Sequence, residues 1–179
     1  MSKPYYKVET LEPGKSIGFL VKRCGVLMTQ VAERHFESTS ISFIQWTALM
    51  RLSMRADHLS ATQLSKELGY DMGALTRVVD ELERRGLVRR ERSQRDRRAV
   101  EIAVTAAGRR QADSAKPVIV KLLNELIEQY TDAEVATLID LMQRMLVRLQ
   151  AAAATSAADT APVSRVRHPR RRSKSGGAT

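Results

Sequence analysis

The spacing of apolar residues predicts a mainly helical chain. From residue 15 to residue 36, apolar side chains recur at steps of three and four, which places them along one face of an α-helix. A second stripe begins at Phe43, where Ser42 and Gln45 are spaced as a capping box. We therefore expect two amphipathic helices, preceded by an irregular arm at residues 1–14.

Polar residues mark the ends of a closely coupled helix pair. Ser60 and Gln63 form a capping-box pattern at the start of a third helix, and Gly69 is expected to end that helix in a left-handed conformation. Asp71, only two residues later, is the expected N-cap of a fourth helix. Two helices joined so closely must turn sharply against each other.

The apolar period changes from 3.6 to 2 after Gly86. Residues 87–92 and 100–104 flank the polar segment 93–97, and together they predict a two-stranded hairpin with a basic tip. The fourth helix before it carries an apolar face at helical spacing, made of Leu75, Val78, Val79 and Leu82.

Two further helices are predicted between Thr105 and residue 150. Thr105 is the expected N-cap of the fifth helix, and Pro117 is expected to bend or restart it. Thr131 and Glu134 spell a capping box for the sixth. Its apolar residues have nearly heptad spacing, so one side of this helix requires a partner. They are Val135, Leu138, Met142, Met145 and Leu149.

Positive charge is concentrated at the end of the chain. The sequence has 30 Lys and Arg against 20 Asp and Glu, and residues 151–179 hold six of these cations with a single acid. This segment is rich in Ser, Pro, Gly and Arg, so we expect a disordered basic tail, either a solubilising end or an arm that contacts DNA phosphates. We slightly favour the arm, because six cations could contact phosphates whatever the DNA sequence.

Several function classes are excluded by what the sequence lacks. It contains no apolar run long enough to span a bilayer and no secretory signal, so the cytoplasm is the expected location. Cys24 lies within the apolar stripe of the first helix, where we expect a packing role and not a redox one. His35 and His58 have no neighbouring ligands at metal-site spacing. We expect no metal, no cofactor and no catalytic residues.

Helix, sharp turn, helix and basic hairpin is the order of a winged helix-turn-helix, which places its second helix in the major groove of DNA. The face of the fourth helix opposite its apolar residues carries Gly73, Arg77, Asp80 and Arg84, flanked by Ala74 and Thr76. Small side chains allow close approach to the groove, and Arg77 can donate to guanine or phosphate. We expect Asp80 to pair with Arg77 or Arg84 at helical spacing.

The hairpin tip carries three cations and one acid in four residues: Arg95, Asp96, Arg97 and Arg98. A guanidinium in a narrow minor groove gains from the negative potential there, and a nearby carboxylate can hold it in place. After a helix-turn-helix, we interpret this tip as a DNA-contacting wing, although a solvated turn is the alternative.

Residues 61–109 resemble the multiple-antibiotic-resistance regulator (MarR) family of bacterial transcription factors. The resemblance rests on Leu68 and Gly69 before the fourth helix, the sequence LERRGL at residues 82–87, the wing residues Asp96, Arg97 and Arg98, and Val104, Thr105 and Gly108 after the wing. The helix order over residues 15–150 is also similar to the family's, whereas the basic tail is not part of its pattern.

The resemblance implies a fold, partners and residue roles. The fold is mainly α, with a winged helix-turn-helix at residues 42–108 and dimerisation helices at 15–41 and 109–150. Arg98 would enter the minor groove, oriented by Asp96, while Gly73, Ala74, Thr76 and Arg77 would face the major groove, at the helix that Asp71 caps. The partners would be double-stranded DNA, a second copy of the chain and a small aromatic or phenolic effector whose binding site is unknown.

Three functional hypotheses follow. The first is a homodimeric repressor of a palindromic operator, released by its effector. The second is a sequence-tolerant architectural DNA-binding protein that relies on its basic tail. The third, an enzyme, has no paired nucleophile and base, no phosphate-binding glycine loop and no metal-ligand cluster in its favour.

Overall fold

A computed structural model describes residues 4–54, 58–93 and 99–159, and these form six α-helices and one two-stranded sheet. Two 3-10 turns, Val8–Thr10 and Pro13–Lys15, precede the first helix. The helices and strands are α1 (Ile17–Phe36), α2 (Phe43–Ser53), α3 (Ala61–Leu68), α4 (Met72–Arg84), β1 (Val88–Arg92), β2 (Val100–Val104), α5 (Ala106–Ile127) and α6 (Asp132–Asp159).

The predicted helix starts are confirmed by their hydrogen bonds. Ser42 and Ser60 form complete capping boxes with Gln45 and Gln63. At α6, the Glu134 carboxylate accepts from the backbone N of Thr131 at 2.9 Å, and the Thr131 hydroxyl accepts from the backbone N of Glu134 at 3.3 Å. In each box, side-chain oxygens accept hydrogen bonds from backbone N–H groups that have no partner within the helix. This local requirement explains why the helix starts could be predicted. The three boxes are Ser42 with Gln45, Ser60 with Gln63 and Thr131 with Glu134.

The first unit of the fold, residues 1–128, has one apolar core. In it α1, α2 and α5 pack on one another, α3 packs on α4, and the hairpin contacts α2, α3 and α4. Trp46 lines this core beside Phe36 and Phe43, and its indole N–H donates to the carbonyl of Ala112 at 3.1 Å. The largest fully buried side chains are Phe36, Leu49, Leu64, Leu75, Leu82, Ile102, Leu122, Val79 and Val88.

The predicted hairpin is present, with a different burial pattern. β1 and β2 pair antiparallel, with Val88 opposite Val104 and Arg92 opposite Val100. Strict alternation would bury Val100 and expose Ala103, but Val100 is exposed and Ala103 is buried. Burial in β2 rises along the strand, because Ile102, Ala103 and Val104 are all buried while Val100 at the other end is exposed.

Two helices are longer or more regular than expected. α5 runs through Pro117 without restarting, and Ala115 and Ile119 on either side of the proline are buried. α6 continues past residue 150 to Asp159, so the first part of the predicted tail is helical. The alanines at 151–154 are the strongest helix formers, which accounts for the extension. Residues 160–179 of that tail lie outside the described residues.

α6 belongs to the second unit, residues 129–179, and most of its apolar residues are exposed, while Val135 and Met145 are half-buried. Leu138 is 52% and Met142 43% exposed. α1 also exposes apolar residues, among them Leu20 and Leu27, and the expectation that Cys24 is buried in this stripe was wrong, because its side chain is exposed. None of the helices in the described residues is long and apolar enough to cross a membrane.

Candidate nucleic-acid interface

A short, rigid turn joins α3 to α4. Gly69 ends α3 with φ +70°, the left-handed conformation that glycine adopts without steric cost. The Ser65 hydroxyl donates to the carbonyl of Tyr70 at 2.8 Å, and the Gly69 N–H donates to the carbonyl of Ser65 at 2.9 Å. These bonds fix the angle at which α4 leaves the turn.

Asp71 caps α4, as its spacing predicted. One carboxylate oxygen accepts from the backbone N–H of Gly73 at 2.9 Å and from that of Ala74 at 3.0 Å. These are the two N–H groups that a phosphate at the helix start would use, so Asp71 already supplies their acceptor. The geometry of Asp71 is therefore that of a helix cap, and its predicted place in a DNA interface stays a prediction.

The two faces of α4 divide as predicted. Leu75, Val79 and Leu82 are completely buried, and Val78 is half-buried. The opposite face exposes Gly73, Arg77, Asp80 and Arg84, with Ala74 and Thr76 half-buried at its margins. The Thr76 hydroxyl donates to the carbonyl of Met72 at 2.8 Å and keeps its acceptor capacity for a base or a bound water.

The charge partners on α4 differ from those predicted. Arg84 donates two hydrogen bonds to Glu81, of 2.9 and 2.7 Å, and the bond from Arg84 lowers the pKa of Glu81. Asp80 pairs with neither Arg77 nor Arg84, because Arg90 on β1 binds it. The prediction for Asp80 was therefore wrong: it considered partners on the same helix, while the partner comes from the adjacent strand.

Arg77 is left with no hydrogen bond or ion pair in the ranges that the structure describes. The acidic residues three and four positions after it, Asp80 and Glu81, are bound by Arg90 and Arg84. Its guanidinium is exposed on the face of α4 that carries the small residues, so it can donate to a base edge or a phosphate.

The wing is described at its base. The Ser93 N–H donates to the carbonyl of Ala99 at 2.9 Å, which closes the described part of the hairpin. The predicted tip residues Arg95, Asp96, Arg97 and Arg98 lie outside the described residues, and their roles stay predictions.

Further charged side chains surround the base of the wing. Arg89 is paired with Glu91, and the His58 ring nitrogen Nδ1 lies 3.3 Å from a Glu91 oxygen. The hydrogen bond from Arg89 lowers the pKa of Glu91.

The wing is anchored to α5 by a close backbone contact. Thr105 caps α5 by accepting from Gly108 N–H at 3.0 Å, and its hydroxyl lies 2.8 Å from the carbonyl of Gly86. A Cβ on Gly108 would lie 2.0 Å from the carbonyl oxygen of Leu87, so only glycine allows this approach. The end of α4, the start of β1 and the start of α5 thus form one rigid corner.

The remaining candidate residues have structural partners. His35 joins α1 to α5, with Nδ1 2.9 Å from the carbonyl of Val31 and Nε2 3.2 Å from a Glu125 oxygen. Among the described residues, no group of three or more His, Cys, Asp or Glu is arranged to hold a metal ion.

Sequence reasoning missed two residues that shape this region. Glu33 on α1 accepts from the backbone N–H groups of Phe43 and Ile44 at 3.1 and 3.3 Å, which ties α1 to the start of α2. Arg90 joins the wing to α4. Glu33 and Arg90 bind partners that lie seven or more positions away in the sequence. Such separations exceed the local spacings that signal helix caps and helical side-chain pairs.

Comparison with known proteins identifies a family. Residues 39–99 match the sequence model of a protein family that is described as the MarR family. The uncharacterized HTH-type transcriptional regulator YdgJ of Bacillus subtilis is 32% identical over 97 residues, 54% of this chain and 59% of YdgJ, so the match spans less than two thirds of that relative. The HTH-type transcriptional repressor YetL of the same organism is 30% identical over 125 residues, 67% of this chain and 75% of YetL.

Solved structures agree with these relatives. The apo form of wild-type MarR from E. coli superimposes with a TM-score of 0.64 at 28% identity, covering 73% of this chain and 97% of MarR. CouR from Rhodococcus jostii RHA1, bound to p-coumaroyl-CoA, gives a TM-score of 0.62 at 28% identity and covers 76% of this chain and 95% of CouR. The chain belongs to the MarR family of DNA-binding, helix-turn-helix transcriptional regulators.

Proposed function

We propose that this chain is a homodimeric repressor that binds a palindromic operator and is released from it by a small aromatic or phenolic effector. The observation that carries the proposal is the exposed face of α4, where Arg77 lies beside Gly73, Ala74 and Thr76 and has no partner among the described residues. A helix with this surface fits the major groove and can reach base edges.

Each part of the interface has its own task in this proposal. Arg77 donates to guanine or phosphate, and the small residues around it let the helix approach the bases. Asp71 holds the first turn of α4 in shape through its two backbone hydrogen bonds. The tip residues Arg95, Arg97 and Arg98 contact the backbone and the minor groove, with Asp96 orienting Arg98.

The dimer is supported by apolar surface that the single chain leaves uncovered. α6 exposes a run of leucine, isoleucine, valine and methionine side chains, and α1 and α5 expose others. Exposed apolar surface of this extent marks an association site. Two copies related by a two-fold axis would read two half-sites about one helical turn apart.

Two similar proteins support the direction of control and the effector class. YetL is named a repressor, and CouR was crystallised with p-coumaroyl-CoA, whose acyl group is a phenol. An effector releases DNA only if it binds the DNA-incompetent state more tightly. Because its target is chromosomal DNA, we place the regulator in the cytoplasm.

Binding-site selection from a random DNA pool, followed by footprinting, tests the proposal. We expect one selected duplex with two inverted half-sites, bound at least a thousandfold more tightly than random DNA of equal length. Adding p-coumarate or p-coumaroyl-CoA tests the effector class. Equal affinity for selected and random DNA would favour the architectural alternative and overturn the repressor.

The wing is tested by Arg98→Ala on the same duplex. Loss of a groove contact should weaken binding by about 1–3 kcal/mol while the dimer stays intact. Affinity equal to that of the unmodified chain would remove Arg98 from the interface.

A further inference from the structure

Arg90 on β1 lies between two carboxylates of α4. Its Nη2 donates to Asp80 and its Nη1 to Glu83, while its backbone N–H donates to the other oxygen of Glu83 at 3.0 Å. Asp80 and Glu83 are one helical turn apart and face the same strand. Because a guanidinium is planar and donates in fixed directions, this clasp sets the orientation of both carboxylates.

The clasp contributes little to stability. All three side chains are partly solvated, with 33% of Arg90 and 57% of Asp80 exposed, and exposed ion pairs stabilise folds only weakly. Apolar burial holds the hairpin to α4, since Leu82, Leu87 and Val88 are all buried in the core that the two elements share. The role of the clasp must therefore be sought in the electrostatics of the DNA-facing surface.

Asp80 is an unfavourable residue for that surface. It lies on the same exposed face as Arg77, three positions after it, where an unbound carboxylate would pair with Arg77 and repel phosphates. In the structure Arg90 draws Asp80 towards the wing, and Arg77 is left unpaired within the described ranges.

We propose that Arg90 is a positioning residue for DNA recognition, which holds Asp80 against the wing and so keeps Arg77 available to DNA. This inference rests on the proposed function, because it assigns the exposed face of α4 to DNA. It also gives Arg90 a role distinct from direct phosphate contact. Removal of Arg90 would lower DNA affinity because it releases Asp80.

The test is a double-mutant cycle measured on the duplex that the unmodified chain selects. We expect Arg90→Ala to weaken binding about tenfold, of which pairing with Arg77 supplies roughly twofold and repulsion of phosphate the rest. Asp80→Asn alone should bind at least as tightly as the unmodified chain. The double variant Arg90→Ala with Asp80→Asn should recover to within about threefold of it.

Other roles for Arg90 predict a different affinity for the double variant. If Arg90 contacts phosphate directly, or only braces the wing mechanically, the double variant stays as weak as Arg90→Ala, and the inference is overturned. Arg144→Ala is the charge-matched control, because it removes an exposed arginine that is paired with Asp140 on α6. It should leave affinity nearly unchanged, and melting temperatures verify that every variant is folded.

Two further measurements keep the inference separate from the proposed function. Arg90→Lys retains the charge but not the two-carboxylate geometry, so its affinity should lie between those of the unmodified chain and Arg90→Ala. Without DNA, nitrogen-15 relaxation of the Arg77 Nε–H should show a mobile side chain in the unmodified chain and a restrained one in Arg90→Ala or Arg90→Lys. If the mobility of the Arg77 side chain is the same in all variants, the proposed role of Arg90 is contradicted. If the unmodified chain selects no duplex, the proposed function is overturned.

Discussion

α4 and α6 both carry an apolar face, but only the apolar face of α4 is buried in this structure. The apolar face of α4 is buried within its own chain, with Leu75 0% exposed, and its polar face is presented outward. The apolar face of α6 is uncovered, with Leu138 52% exposed. The same kind of pattern therefore completes a core in one place and leaves apolar side chains exposed in the other.

The largest effect is expected where the apolar face is uncovered. The double substitution Leu138→Glu with Met142→Glu places two charges in the proposed dimer contact, so sedimentation should show monomers and specific DNA binding should be lost. Gln143→Glu adds a charge to the same helix outside the heptad stripe and should leave the dimer intact. A dimer that survives the double substitution would assign association to other helices.

The buried face of α4 should respond through stability. Leu75→Ala removes a fully buried side chain and should lower the free energy of unfolding by about 2–5 kcal/mol, measured by urea denaturation. Met72→Ala, in the same helix but 40% exposed, is the control with a much smaller loss. Similar losses for the two variants would mean that α4 is not held by its apolar face.

The cap of α4 should have a smaller effect. Asp71→Ala leaves the N–H groups of Gly73 and Ala74 without their carboxylate acceptor, which should cost about 1 kcal/mol of stability. Asp71→Asn retains an acceptor and should recover most of that loss. Thermal unfolding of the two variants and of the unmodified chain measures the difference, and equal melting temperatures for all three would show that the cap does not stabilise α4.

The smallest effect is expected beyond the end of α6. Truncation after Asp159 preserves the whole helix and removes six cations, so the dependence of DNA affinity on salt should become shallower while operator preference is retained. The full chain serves as the reference. An unchanged slope would assign the tail a role away from DNA.

Much of the fold was predictable because its signals are local. Capping boxes and the left-handed turn at Gly69 involve residues within four positions of each other. At such separations, helix geometry alone decides which groups can form hydrogen bonds. The faces of α4 follow from its period for the same reason. The position of Gly73, Ala74, Thr76 and Arg77 on the side of α4 away from its buried residues could therefore be predicted from the sequence.

The sequence by itself determined where the helices begin, which side of α4 is apolar and that a hairpin follows it. Tertiary structure alone decided that Asp80 is bound by Arg90, that Cys24 is exposed and that Ala103 is buried while Val100 is not. The physical reason is range: a cap or a helical face depends on backbone geometry within one or two turns. The partner of a charge and the burial of a side chain depend on which elements approach it in space.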